Sequence, residues 1–298
     1  MKIAVTGASG LIGRSLVPHL RRGGHDVIRL VRGKGEGLAP DEVPWDPPER
    51  QLNPERLTDV DAVIHLAGAG VADHRWTSSY RKQILDSRVD GTTTISLALA
   101  AEPGRPRTLL SASAIGYYGD TGDRVTDETA PAGQGFLADV CKVWEASTRP
   151  AEQAGVRVAH LRTGIVLSGR GGALARQLKI FKAGLGAPLG DGRQWLSWIS
   201  LQDELAAISH LLTTAVSGPV NLVGPAPVTN REFTKVLGQV LHRPTLPVAV
   251  PGFVLKAALG DFASEGVLVG QRLVPKVLQD SGFTFAHAEL ESALHASL

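Results

Sequence analysis

Near the start of the chain, Gly7-Ala8-Ser9-Gly10-Leu11-Ile12-Gly13 has the residue types and spacing to hold a phosphate. Glycines let the main chain turn tightly and bring its N–H groups against a pyrophosphate, and a helix opening there adds partial positive charge. The spacing is GxxGxxG rather than GxGxxG, so the context carries the weight. A strand candidate at Lys2–Thr6 precedes the run and an amphipathic helix candidate, Leu11–Arg22, follows it. NAD sites usually place an acid about 20 residues beyond the glycines, at the end of the second strand, on the ribose hydroxyls. Here that strand ends Leu30-Val31-Arg32, without a carboxylate. Arg32, and Arg14 directly after the last glycine, offer planar cations for a 2′-phosphate. Either arginine alone would also suit a solvated surface; together, with the acid missing, they point to NADP(H).

The elements needed to position such a loop are legible around it. Short β-branched runs at Asp26–Val31, Asp61–Ala67, Thr108–Ala112, Val156–Leu161 and Val220–Val223 alternate with helical patterns at Tyr80–Ala101 and Phe136–Ala154. Nearly continuous apolar strands between helices imply a doubly wound parallel α/β sheet of the Rossmann kind. After about Ser168 the rhythm changes to glycine-rich loops and helices, so a smaller, mostly helical C-terminal substrate lobe is expected. Ser200-Leu201-Gln202-Asp203 reads as a helix N-cap, and Pro244–Pro251, with three prolines, as a hinge or boundary. The expected division is a dinucleotide-binding domain over 1–167, which also receives 197–223, and a substrate lobe over 168–298.

Composition narrows the function further. The 298 residues carry a net charge of +2, which gives no broad basic field for nucleic acid or an anionic membrane. One cysteine, Cys141, excludes an intrachain disulfide framework and a multi-cysteine metal site. The absence of a targeting segment or of a spanning apolar run makes a reducing, cytoplasmic location the expectation, with no membrane and no metal.

Gly7–Gly13, Asp61–Gly68 (DAVIHLAG), Ser111–Gly119, Leu161-Arg162-Thr163-Gly164 and Gly192–Asp203 together resemble the extended short-chain dehydrogenase/reductase superfamily, the NAD-dependent epimerase/dehydratase-like proteins. The Val140–Glu145 run and the tail beginning Pro251-Gly252-Phe253-Val254-Leu255 are similar to its atypical branch of SDR39U1-like epimerase family proteins, for which 248–298 would be a family-specific segment. The resemblance implies that Gly7, Ser9, Gly10, Leu11, Ile12, Gly13, Arg14, Arg32, His65, Leu66, Ala67, Gly68, Arg88 and Lys142 border the cofactor. It also implies a Ser, a Tyr and a Lys acting together: the phenol exchanges the proton, Lys lowers its pKa, and Ser orients the reacting oxygen. Ser113, just beyond the fourth strand, fits the serine.

The Tyr-x-x-x-Lys pair is missing. Four residues before Lys142 stands Ala138, and four before Cys141 stands Leu137. In the atypical branch a cysteine commonly replaces the lysine, so either Cys141 or Lys142 faces the cofactor. Arg88 falls where typical members carry a structural asparagine. Tyr117 or Tyr118 could supply the proton or contact substrate, and Cys141 is either reactive or an inert buried thiol. His65 either touches the adenosine or is a satisfied core histidine. Arg193, Trp195 and Trp198 could bind a planar or anionic group or pack the lobes together. The expected function is an NADP-dependent oxidoreductase or epimerase-like enzyme, possible as a homodimer, acting on an unidentified small metabolite. A cofactor-binding sensor or scaffold without catalysis is the alternative.

Overall fold

A computed structural model describes residues 1–33, 37–101 and 107–298. Its first half runs β1 (Lys2–Thr6), α1 (Gly13–Arg22), β2 (Asp26–Arg32), β3 (Glu42–Trp45), β4 (Ala62–His65), α2 (Ser78–Ala100), β5 (Thr108–Ala114), α3 (Phe136–Ala146), α4 (Arg149–Gln153) and β6 (Arg157–Thr163). The second half runs β7 (Ile165–Leu167), α5 (Gly172–Lys182), β8 (Trp195–Leu196), β9 (Trp198–Ser200), α6 (Leu201–Thr213), β10 (Gly218–Leu222), β11 (Val228–Thr229), α7 (Asn230–Val240), α8 (Gly252–Leu259), α9 (Lys276–Asp280) and α10 (Leu290–Ser297).

Seven parallel strands form the central sheet in the order β10-β6-β5-β4-β1-β2-β3. The chain leaves β1 for β2 on one side and crosses to β4 on the other. A topological switch point therefore falls beside the glycine run, which is where open α/β sheets bind ligands. Helices cover both faces, so β4 is buried at every residue. Ile3, Leu16, Leu20, Ile64, Leu161 and Ile208 centre one apolar layer, and Leu57, Val63, Ile95, Leu99 and Leu109 the other. A third apolar cluster, with Leu174, Phe181, Trp198, Phe233 and Leu294, holds the later helices together.

Three expectations need correction. The first is β3, which the strand reading passes over because Pro44 interrupts it; as the sheet edge it can carry a residue with no N–H to give. The second is the long helix Phe136–Ala154, which is two helices. Pro150 has no N–H for the Ala146 carbonyl, and the Thr148 hydroxyl donates to the Glu145 carbonyl at the break (2.7 Å). The third is Pro244–Pro251, which is strapped down rather than free to hinge. Leu246 and Val250 donate their N–H groups to the Gly186 and Pro188 carbonyls, and Gly190 donates to Val250.

The N-cap at Ser200 forms as its spacing implies, with Oγ accepting the Asp203 N–H at 2.9 Å. No described helix is long and apolar enough to cross a membrane. Among the described residues, no group of three His, Cys, Asp or Glu could hold a metal ion.

Candidate active site

The glycine run ties β1 to the end of β4. Gly7 has φ +66°, and a Cβ there would lie 2.8 Å from the Leu66 carbonyl carbon. A Cβ on Gly13 would be driven into the Gly7 carbonyl oxygen. Packing alone accounts for these two glycines. Gly10 differs: it is exposed, its φ is ordinary, and its added Cβ would meet nothing but the Gly7 oxygen, at 3.2 Å. What glycine preserves at position 10 is open backbone at the head of α1, a cradle that a Cβ would fill.

Thr6 and His65 brace this cradle from below. The Thr6 hydroxyl oxygen accepts the Leu66 and Ala67 N–H groups, at 3.0 and 3.2 Å, and lies 2.8 Å from His65 Nδ1. With both lone pairs used, the hydroxyl hydrogen goes to Nδ1, which leaves the ring proton on Nε2. His65 has no exposed surface, meets Trp45 edge-on, and is pushed down to about 4 by burial. It is a core histidine; the expectation that it touches a cofactor is corrected, because the ring lies beneath the sheet end.

Arg88 also holds the loop. Its guanidinium donates to the Ala69 and Ile84 carbonyls, at 2.9 and 3.0 Å, lies over the Trp144 ring, and packs where a Gly68 Cβ would point. Its charge serves the carbonyls of the 68–70 turn. Burial holds its pKa below the ordinary guanidinium value.

The face of α3 that meets the end of β5 carries Leu137, Cys141 and Glu145, spaced four apart as one helix stripe requires. A Cβ on Gly116, in the turn Ile115–Tyr118, would touch Leu137 Cβ at 3.2 Å and Cys141 Sγ at 3.9 Å. Leu137 and Cys141, four apart, are thus the side chains of α3 that face this turn. Lys142, one residue round the helix, points to solvent and pairs with Asp139 at 2.6 Å, so its assignment to the cofactor is corrected. The Cys141 thiol donates to the Ala114 carbonyl at 3.7 Å, and burial pushes it up to about 11, which removes the thiolate a reactive cysteine needs.

Beside that apolar pair lies a buried polar network that the motif search missed. Ser113 Oγ donates to Glu145 Oε1 at 2.7 Å, and Arg162 donates to both Glu145 oxygens, at 2.8 and 2.9 Å. A third Arg162 bond reaches the Tyr118 hydroxyl at 2.9 Å, which donates to Asn221 Oδ1 at 2.7 Å. Burial raises the Glu145 carboxyl, but the Arg162 bonds and charge outweigh it and leave it below the ordinary value. Tyr118 is pushed up to about 12 by burial and has both hydrogen-bonding directions occupied. The proton-transfer expectation for Tyr118 is therefore corrected. Tyr117 keeps a partly exposed ring, with the Arg162 guanidinium 3.5 Å from its centroid. The signal for this network was present: an arginine inside the buried strand β6 must be paired, and Glu145 is the acid on the matching helix face.

The later helices close over the site. Arg176 on α5 donates to the Ala72 carbonyl at 2.6 Å and pairs with Asp73 at 3.1 Å, and Arg75 reaches the Ala257 carbonyl on α8 at 3.0 Å. Leu11 packs where Cβ atoms of Gly171 and Gly172 would be. Glu265, from the turn Ala263–Val267, accepts the Leu137 N–H at 3.0 Å and so caps α3.

A sequence model of the NAD dependent epimerase/dehydratase family matches residues 3–224, from the first strand through the end of β10. The chain belongs to that family. Residues 250–297 match a second model, a domain of unknown function (DUF1731), which covers α8 to α10. An epimerase family protein from Mycobacterium bovis is 47% identical over 98% of this chain and 96% of its own length. The human epimerase family protein SDR39U1 is 31% identical over 99% and 98%. A crystal structure of human SDR39U1 isoform 2 with NADPH superposes with a TM-score of 0.87 at 29% identity, covering 100% of this chain and 99% of the other.

Within this family member, the sequence-derived substrate residues divide. Trp198 is fully buried, its indole N–H on the Ala226 carbonyl at 2.9 Å, so it packs the lobe core and is corrected as a substrate contact. Trp195 is half-buried, donates to Asp123 at 2.8 Å and carries the Arg272 guanidinium 4.1 Å from its ring. Arg193 is exposed on the same loop. The two arginines near the glycine run also separate. Arg32 is exposed at the end of β2, while Arg14 borders a cleft whose lining includes no residue of β2.

Proposed function

We propose that the chain binds NADP(H) across the head of α1 and exchanges a hydride with a small, unidentified alcohol or carbonyl metabolite in the cytoplasm. The open backbone at Gly10 carries this reading, and the resemblance to a human protein crystallised with NADPH supports it. Gly7–Gly13 with Leu66–Gly68 would hold the pyrophosphate. Arg32, which has no partner among the described residues, would meet the 2′-phosphate where NAD enzymes place an acid. When bound, the cofactor supplies the hydride acceptor or donor.

Ser113 Oγ already donates to Glu145, so it faces a substrate as an acceptor. That polarity suits an incoming hydroxyl, which would be held by its own proton. Tyr117, the one of the two adjacent phenols whose hydroxyl has no hydrogen-bond partner among the described residues, is the proton-transfer group of this reading. Trp195 and Arg193 would border the substrate, and Arg176 and Arg75 hold the loop that excludes water. A metabolite screen monitoring the absorbance of bound NADPH tests this: Tyr117→Phe should abolish any turnover found and leave NADPH affinity unchanged. Turnover that survives in Tyr117→Phe would remove the residue from the mechanism.

A second reading is favoured by Leu137 and Cys141. These inert side chains occupy the face where the proton-transfer pair would stand. On that reading the protein senses cofactor redox state without reacting, and no compound would oxidise the bound NADPH.

A further inference from the structure

Beside α1, a cleft of about 850 Å³ opens between α1, the start of α6, α5 and the end of α10. Its lining includes none of Gly7–Gly13, none of Leu66–Gly68 and no acidic side chain; the one anionic group that borders it is the main-chain carboxylate of Leu298. Arg14 and Arg22 on α1, Arg170 before α5 and Lys182 at its end all border it. Among the described residues none of the four forms an ion pair; Arg14 and Arg22 donate to carbonyls of their own segment, Gly10 and Pro18. Exposed cations elsewhere divide between those that find acids, such as Arg21 and Arg29 on Asp41, Arg50 on Asp90 and Arg176 on Asp73, and those that do not, such as Arg32 and Arg193. What sets these four apart is that they converge on one concavity.

The first backbone N–H groups of α6 add to the field. Ser200 caps Asp203, and Leu201 and Gln202, in the first turn of α6, are part of the lining. The volume lies within the range of about 300–1,000 Å³ usual for small-molecule sites. Guanidinium groups bind phosphate and carboxylate oxygens in bidentate fashion.

We propose that this cleft is a second ligand site, for a compact polyanion bearing phosphate or carboxylate groups, separate from the dinucleotide cradle. Its walls join α1, which heads the cradle, to the C-terminal helices, so an occupant would tie the glycine helix to the lobe that closes over the site.

His19 gives a local probe. It borders the cleft, its Nε2 lies 3.1 Å from Ser209 Oγ, and burial together with the charges of Arg22 and His25 holds its pKa below the ordinary value. An anion held by Arg22 opposes part of that effect. The experiment titrates inorganic pyrophosphate, and separately citrate, into the full chain with excess NADPH, following the His19 imidazole by NMR. The result expected is a saturable upward shift of the His19 titration by at least one of the two anions. The preferred anion identifies which group the site takes. The exposed double substitution Arg170→Gln/Lys182→Gln should weaken it by about tenfold or more, against no change for Lys142→Gln. No shift with either anion, or an equal affinity in the double variant, overturns the proposal.

Discussion

The glycine cradle at the end of β1 and the corner at the end of β5, with β4 between them, are built in opposite ways. At the cradle three of the distinctive residues are held by backbone geometry: Gly7 by its positive φ and the Leu66 carbonyl, Gly13 by the Gly7 oxygen, Thr6 by two N–H groups. Changing any of these costs the fold as well as the ligand. At the corner the reactive positions are side chains on a helix face. Leu137 and Cys141 face the Ile115–Tyr118 turn from α3 and could be exchanged for other side chains without disturbing the helix. A backbone-dictated site ties its residues to the fold, whereas here the corner is a buried ion pair with a serine attached.

The largest effect that should break this contrast is at the ion pair. Arg162→Met leaves Glu145 buried without its partner, and thermal or urea unfolding should show a loss of about 3–5 kcal/mol. A small loss would mean that water reaches the corner freely.

Next comes Glu204, fully buried on α6, which accepts the Thr163 hydroxyl at 3.1 Å and is pushed by burial from 4.5 to about 8. An acid with a raised folded-state pKa contributes most below its unfolded value and loses that contribution as pH rises through the folded one. Wild-type stability should therefore fall between pH 4.5 and 8. Glu204→Gln should flatten this slope and be more stable at the upper end by on the order of 3 kcal/mol. Parallel stability–pH curves for the two proteins would contradict the assignment.

At the cradle, Arg32→Gln should weaken NADPH by about 1.5–3 kcal/mol, roughly ten- to a hundredfold, and leave NADH unchanged. The smallest effect on stability belongs to Gly10→Ala. With only the Gly7 oxygen nearby, unfolding should change by less than about 1 kcal/mol while NADPH affinity drops. If affinity also holds, the open backbone at Gly10 is not the cradle.

Much of the fold was readable in the sequence because parallel strands buried on both faces write themselves as apolar runs, and six of the seven sheet strands did so. The edge strand Glu42–Trp45 was not, since Pro44 and a half-buried alternation hide it. The glycine cradle was legible because its geometry is local. Of the Ser113–Glu145–Arg162–Tyr118–Asn221 network only the need of a buried Arg162 for an acid was legible, because its members come from separate elements that the tertiary fold brings together. The same reason explains the two arginines: Arg14 and Arg32 read as one corner in sequence, yet α1 turns Arg14 toward a different cleft. Lys142 and Cys141 could not be ranked until the Gly116 contact fixed the rotation of α3.

The central claim, an intact cradle selective for NADP(H) beside a rewired corner, is tested most directly by isothermal titration of the wild-type chain with NADPH and with NADH. The account predicts one NADPH per chain, bound about tenfold or more tighter than NADH. Equal affinities, tighter NADH, or no binding of either would contradict it.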